Sequence, residues 1–305
     1  MRVAVVGVVG RLGRALVEAL EEAPFTGMRP PVGWDQPELE LDTVTAASFG
    51  ALLDRERPEV VIHTAAWTDV DGNAREPELA MRRNGTAVGE IARACAQRGT
   101  DLVVISSNEV FDGRRTDGRG YRPDDPRSPI NPYGVAKARA ELLASDAFAG
   151  SRGRLAIVRT AWLFGPPGND FPAKIAAAAL RARAGGEPLR VTGDEVGTPT
   201  YTPDLAEAIV ELVGTDEPPM PGSVTIHHLV NGGRASRADW AREVLRTLAI
   251  QVEVVEVPAS TWQRPSTPPL WAVLEPTPLP SGVPMRHWHE AFADAVPSLR
   301  RALSR

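Results

Sequence analysis

The sequence predicts an α/β fold, a doubly wound parallel sheet with a smaller C-terminal α/β substrate domain. Three observations carry that expectation. Short β-branched runs alternate with longer Ala/Leu/Arg stretches through the first two-thirds of the 305 residues. The runs are nearly continuous in apolar character, as strands covered on both faces must be. Strand and helix follow one another in turn, which builds βαβ units.

In chain order, strands are read at Val3–Val6, Val32–Trp34, Val60–His63, Leu102–Ser106, Leu155–Thr160, Leu189–Val191 and Val224–Val230. Leu12, Leu16 and Leu20 recur every four residues and form one apolar stripe of a first helix. Val88, Ile91 and Cys95 have helical spacing within Ala87–Ala96. Ser236 and Asp239 have the spacing of a capping box that opens a helix with Trp240, Val244, Leu245 and Leu248 on one face. A strand over Gln251–Val257 leads into Pro258, Pro265, Pro268, Pro269, Pro276, Pro278, Pro280 and Pro284, which read as irregular chain laid over a surface. A helix is expected again from Arg286. One domain is expected over 1–165 plus about 197–230, and a second over about 166–196 plus 231–305.

Composition narrows the class. The chain is 43% hydrophobic and 24% charged, with formal net charge −5. That balance lacks the basic stripe that nucleic acid or an anionic membrane surface requires. No apolar run approaches the roughly 20 residues of a membrane span. Met1-Arg2 passes straight into the first strand without the apolar core of a secretory signal, so a cytoplasmic protein is expected. The single cysteine, Cys95, excludes an intramolecular disulfide and a cysteine-cluster metal site.

Gly7, Gly10 and Gly13 form G-x-x-G-x-x-G directly after the first strand and into the first helix. Glycines there let the backbone turn tightly and approach a pyrophosphate at the helix N-terminus. Arg11 and Leu12 lie inside the motif and are assigned with it to the cofactor. Asp35 follows at the end of the second strand, 22 residues beyond Gly13, where a carboxylate accepts from a ribose hydroxyl. This is the Rossmann-type arrangement for NAD(P)H. The Asp35 carboxylate repels a 2′-phosphate and favours NADH, while Arg29 nearby in sequence keeps NADPH open.

Tyr133 and Lys137 stand four residues apart in a chain with three Tyr, and with two Lys among 34 basic residues. On a helix they share one face, so the ammonium can sit beneath the phenol. A positive neighbour is expected to lower the phenol's pKa and make it a proton donor or acceptor near neutral pH. Ser106 and Ser107 end a strand at the sheet's carboxyl edge, where ligands of such folds sit, and Ser107 is placed to hold a carbonyl oxygen beside Tyr133.

These residues resemble the extended short-chain dehydrogenase/reductase superfamily. Within it the chain is similar to the dTDP-4-dehydrorhamnose reductase family over nearly its whole length. The likeness is carried by Gly7–Gly13, Arg57–Thr68, Glu76–Asn84, Val110–Gly113, Asn131–Lys137, Arg159–Trp162, Gly197–Tyr201 with Asp204–Ala206, His228–Asn231, Arg264-Pro265 and Trp288. The resemblance implies reduction of the C4 ketone of a nucleotide-linked 4-keto-6-deoxyhexose by NAD(P)H, with Ser107, Tyr133 and Lys137 catalytic. It implies that Asp42 and Thr43 contact the adenine side of the cofactor, and that Ala65, Ala66 and Thr68 flank its ribose and nicotinamide. It implies that Trp162 lies against the sugar and that Thr198 and Thr200 face the nucleotide half of the substrate. It further implies a homodimer and, by the description of some members, dependence on Mg²⁺.

One departure stands out. Where the family carries Thr-Asp-Tyr, this chain has Ser107-Asn108-Glu109. Asn108 and Glu109 therefore face the sugar in place of an acid and an aromatic. A dehydratase, decarboxylase or epimerase using Glu109 with a retained NAD is the rival enzyme reading, ranked lower because Asn108 has no titratable proton. From another class, a non-catalytic dinucleotide-binding regulatory subunit would not need Ser107, Tyr133 and Lys137 together.

Four further groups are read as structural. His287 and His289, two apart at a helix start, are expected to point away from each other into solvent, and no metal site is assigned. His63 on a core strand is expected to satisfy local hydrogen bonds. Asp69, Asp71, Glu76 and Glu78 read as a solvated acidic loop. Trp240, Trp262, Trp271 and Trp288 read mainly as core packing.

Overall fold

The computed structural model describes residues 1–23, 29–168, 170–215 and 219–303. Its strands run β1 Val3–Val6, β2 Val32–Trp34, β3 Val60–His63, β4 Asp101–Ser107, β5 Leu155–Thr160 and β6 Leu163–Phe164, then β7 Leu189–Thr192, β8 Val196–Gly197 and β9 Thr200–Tyr201. The last four are β10 Val224–His228, β11 Ala235–Ser236, β12 Val254–Val257 and β13 Trp271–Ala272. Helices are α1 Arg11–Glu22, α2 Ala46–Glu56, α3 Val70–Arg75, α4 Pro77–Met81, α5 Ala87–Arg98 and α6 Pro132–Phe148. They continue with α7 Phe171–Gly185, α8 Thr202–Val213, α9 Arg237–Leu248 and α10 Trp288–Leu303.

Six strands form the main sheet in the order β10-β5-β4-β3-β1-β2, parallel throughout. The doubly wound expectation holds, and β1 shows why. Val3 and Val5 pack with Leu12, Leu16 and Leu20 of α1 and with Leu205 and Ile209 of α8. Ala4 and Val6 face the other way, onto Phe49 of α2 and Ile91 and Cys95 of α5. Both alternating sets are apolar because both faces are covered. Burial pushes the Cys95 thiol well above its usual pKa, so it behaves as a small hydrophobe.

Strand order reverses at β1, whose neighbours are β2 and β3, and a crevice opens outside the carboxyl ends at such a point. Registers hold those ends level: Val6 pairs with Trp34 and His63, and Ser107 with Thr160.

A second core gathers around Trp240, Val244, Leu245, Trp288, Phe292 and Phe164. The capping box is present, Ser236 and Asp239 exchanging side-chain and backbone bonds at the start of α9. The strand read at Leu189 belongs here and not to the main sheet: β7 pairs in parallel with β12 in a separate two-stranded ladder. Periodicity marks a buried strand but cannot say which sheet receives it. The proline-rich stretch crosses the surface with only a 3₁₀ turn at Ala259–Thr261 and the two-residue edge strand β13.

Trp240 and Trp288 are core residues, whereas Trp262 is exposed. His287 and His289 do not point apart. Their rings stack with centroids 4.9 Å apart. His287 precedes α10 and turns back, its Nδ1 accepting from the His289 N–H at 3.3 Å, so helical spacing does not govern the pair.

Candidate active site

The crevice is a cleft of about 1150 Å³ that runs from the glycine turn to residues of the second core. At its nucleotide end, Gly7 has φ +90°, and a Cβ there would lie 2.8 Å from the Ala65 nitrogen. A Cβ at Gly13 would lie 2.0 Å from the Gly7 oxygen. The chain therefore closes on itself in a turn that only glycine permits. Gly10 is the N-cap of α1 and makes no side-chain cap bond, which leaves the helix N-terminus facing the cleft as an anion cradle. These features fit the diphosphate of a dinucleotide. Leu12, Ala65, Ala66 and Thr68 line the same end.

Asp35 also lines it, at the end of β2, its carboxylate accepting from the Val9 and Gln36 N–H groups at 3.1 and 2.9 Å. Arg29 is exposed and is not among the cleft-lining residues. Arg11 reaches the cleft, but its guanidinium is held by Gly165, Pro166 and Asp170. Asp42 and Thr43 lie off the cleft lining. The Asp42 carboxylate is gripped by Arg83 at 2.6 and 2.7 Å, and that pairing holds its pKa below the usual range.

Helix α6 supplies the centre. Asn131 caps it by accepting from the Gly134 N–H at 2.8 Å, with Pro132 at the first turn. A Cβ at Gly134 would lie 2.1 Å from the Glu109 carbonyl oxygen, so glycine lets the helix press against the turn that follows β4. Tyr133, Lys137 and Glu141 then share one buried face. The Lys137 ammonium donates to the Ile105 carbonyl at 3.0 Å and lies 5.9 Å from the centre of the Tyr133 ring. Glu141 is held by Arg159 at 2.7 and 2.9 Å and by Ser106 at 2.5 Å. Although burial opposes it, these partners keep its pKa low.

The electrostatics correct one expectation. The Tyr133 phenol is not lowered toward neutrality by Lys137. Burial raises it, the Glu109 carboxylate raises it further, and the hydrogen bond with Ser107 only partly offsets them. Burial lowers Lys137 to about 8. A phenol that keeps its proton is poised as an acid.

The far end is charged. Glu109 lines it, its carboxylate accepting from Asn131 Nδ2 at 2.6 Å and its pKa raised by burial. Asn108 is buried with Nδ2 unpartnered. Trp162 stacks on Trp240, and the Arg237 guanidinium lies 3.6 Å from the Trp162 ring centre. Buried Glu195 pairs with Arg237 at 3.4 Å and Arg264 at 3.3 Å. Burial lowers Arg237 to about 10. Glu195, Arg237, Arg264, Lys174 and Asp170 line the cleft without having been singled out as site residues, because they come from separate segments with no shared motif. Of these, Arg264 alone carries a signal in the sequence, as part of the Arg264-Pro265 segment of the resemblance.

Thr198 and Thr200 are fully buried and do not line the cleft. Asp69, Glu76 and Glu78 are exposed, as expected of solvated acids, with Asp69 capping α3 at the cleft; half-buried Asp71 departs from that reading, lining the cleft and accepting from the Ser266 N–H at 3.2 Å. His63 is buried with both ring nitrogens unpartnered, contrary to expectation, and burial with the Lys137 charge lowers it to about 3. Among the described residues, no group of three or more His, Cys, Asp or Glu is placed to hold a metal ion, so no Mg²⁺ step is derived. No helix among them is long and apolar enough to cross a membrane.

A glycine cradle at the sheet's switch point and a buried Tyr/Lys pair beside it define an NAD(P)-dependent oxidoreductase of the short-chain dehydrogenase/reductase type. A family profile described as RmlD substrate binding domain matches residues 1–301. A dTDP-4-dehydrorhamnose reductase of Streptomyces griseus is 32% identical over 97% of this chain and 93% of its own. A dTDP-4-keto-6-deoxy-D-glucose reductase of Streptomyces niveus is 33% identical over 97% and 96%. The crystal structure of a Bacillus anthracis dTDP-4-dehydrorhamnose reductase in complex with NADP superposes with TM-score 0.82 at 26% identity, covering 97% of this chain and 98% of that one. The chain belongs to this dTDP-4-dehydrorhamnose reductase family.

Proposed function

We propose that the protein reduces the C4 ketone of a nucleotide-linked 4-keto-6-deoxyhexose, dTDP-4-dehydrorhamnose or a related dTDP-deoxysugar, using NAD(P)H. The observation that carries this reading is the Tyr133/Lys137 face of α6, buried at the cleft beside the glycine cradle. When bound, the reduced nicotinamide supplies hydride to the carbonyl carbon. Tyr133 donates its proton to the oxygen that becomes alkoxide, a role suited to a phenol whose pKa is raised. Lys137 holds a ribose hydroxyl while anchored on Ile105. Ser107, hydrogen-bonded with the phenol, orients the carbonyl oxygen.

At the other end of the cofactor, Gly7, Gly10, Gly13 and Leu12 cradle the diphosphate and Asp35 takes the adenosine ribose. Asp35 supports NADH as the preferred form, since a carboxylate at the adenosine ribose repels a 2′-phosphate. Trp162, Asn108 and Glu109 bound the sugar. Residues 1–165 with about 197–230 hold the cofactor, and about 166–196 with 231–305 close over the sugar nucleotide. A cytoplasmic homodimer completes the reading.

Loss of reduced-nicotinamide absorbance with a dTDP-4-keto-6-deoxyhexose, run with each reduced cofactor, tests it. The raised pKa of Glu109, facing the same cleft, supports one rival: proton transfer next to the ketone with NAD retained. Oxidised cofactor that co-purifies and is not consumed would favour that rival.

A further inference from the structure

The buried face of α6 does not end with Tyr133 and Lys137. One turn further on stands Glu141, 0% exposed and not among the cleft-lining residues. A buried carboxylate is costly unless charges and hydrogen bonds compensate it. Glu141 is compensated fully. Ser106 Oγ donates to its Oε1 at 2.5 Å, and Arg159 donates to both oxygens at 2.9 and 2.7 Å. Arg127, partly exposed, adds a bond to Oε2 at 3.2 Å.

The carboxylate and the Lys137 ammonium are held by successive residues of one strand. Lys137 Nζ donates to the Ile105 carbonyl at 3.0 Å, and the next residue, Ser106, donates to Glu141. Ser106 is also the register partner of Arg159. The end of β4 thus gathers two buried cations, Lys137 and Arg159, around one carboxylate. Other groups near Lys137 offer it no second anion. Tyr133 keeps its proton, and burial lowers His63 of β3 to about 3 and His228 of β10 to about 4, so both are uncharged at neutral pH. Glu109 bonds to Asn131, and its charge acts on Tyr133. None of the charged residues of α3, α4, α5 or the turn 82–86, all packed on α6, is buried.

Resting on the reductase reading above, we propose that Glu141 is a positioning residue that keeps the Lys137 ammonium charged and fixed on β4 for the cofactor ribose. It acts through Lys137 and lies outside the cleft lining. Burial favours the neutral amine; the Glu141 carboxylate opposes it and leaves Lys137 at about 8. Without that carboxylate, Lys137 shares its buried surroundings with Arg159, a cation that does not give up its proton. The amine then becomes neutral at lower pH.

The chain has two lysines, Lys137 and exposed Lys174. Protein isotope-labelled at lysine Cε therefore gives two NMR signals, assigned with Lys174→Arg, and the Lys137 titration is read without turnover. Glu141→Gln keeps the shape and removes the charge. Its Lys137 midpoint is expected to fall by about one pH unit or more, and the alkaline limb of kcat/KM to move down with it. Glu141→Asp keeps the charge but withdraws it by one methylene, and about half that shift is expected. A merely structural role would lower kcat/KM by one factor at every pH and leave the midpoint in place. An unmoved midpoint in Glu141→Gln overturns the proposal; if that variant does not fold, an unmoved midpoint in Glu141→Asp overturns it equally. A shifted midpoint without consumption of reduced cofactor keeps the positioning role and removes the reductase. Turnover with an unmoved midpoint does the reverse.

Discussion

At the nucleotide end of the cleft, recognition rests on backbone: the Gly7 turn, the uncapped start of α1 and Asp35, all within the first βαβ unit. At the sugar end it rests on side chains from distant segments, with Glu195 linking Arg237 to Arg264 and Asn131 linking Glu109 to Thr267. The first end is local and tolerates no added atoms. The second is assembled by folding and depends on charge pairs, each of which can change without breaking the sheet.

The sharpest way to break this contrast lies between the two ends. Tyr133→Phe is expected to lower kcat by about 10²- to 10⁴-fold with cofactor affinity unchanged, measured by turnover and by cofactor titration. If Gly7→Ala is made, strain at φ +90° and contact with Ala65 should weaken cofactor binding by tenfold to about a hundredfold, with KM for the sugar following only through the cofactor. An effect confined to the sugar would reverse the assignment of the two ends.

Proton inventory sharpens the centre. Burial depresses Lys137 to about 8, so the free enzyme loses the ammonium as pH rises through that value. kcat/KM should fall about tenfold per pH unit above it. Lys137→Arg, weaker overall, should lack that alkaline limb because a guanidinium keeps its proton.

Glu195→Gln should raise KM for the sugar nucleotide about tenfold by loosening Arg237 and Arg264, leaving cofactor affinity as it was. The smallest effect is expected at Asp35→Ser, a shift of about fivefold toward NADPH in the ratio of the two cofactors' kcat/KM.

Much of the nucleotide end was legible in advance because its signals are local. A glycine at a positive φ, a Leu every fourth residue and a Tyr four before a Lys are short-range statements that the fold honours with α1 and α6. Where the reading failed, distance was the reason. The Tyr133 phenol was judged by its helical neighbour alone, yet burial and Glu109 across the turn dominate it. His287 and His289 were judged by helical spacing, yet His287 stands outside α10. Asp71 looked like solvated surface because Ser266, its partner, is far along the chain. Thr198 and Thr200, placed near substrate by resemblance, are buried away from the cleft lining.

What the amino-acid order alone determined is the layered sheet and its cofactor turn, since strand burial, helix stripes and glycine geometry act over a few residues and need no knowledge of the rest. Only the tertiary structure decided which charges meet at the sugar and which groups hold or lose their protons. Desolvation and Coulomb interactions depend on distances between atoms in space, and those distances exist only after α6, the proline-rich stretch and α9 have closed on one another.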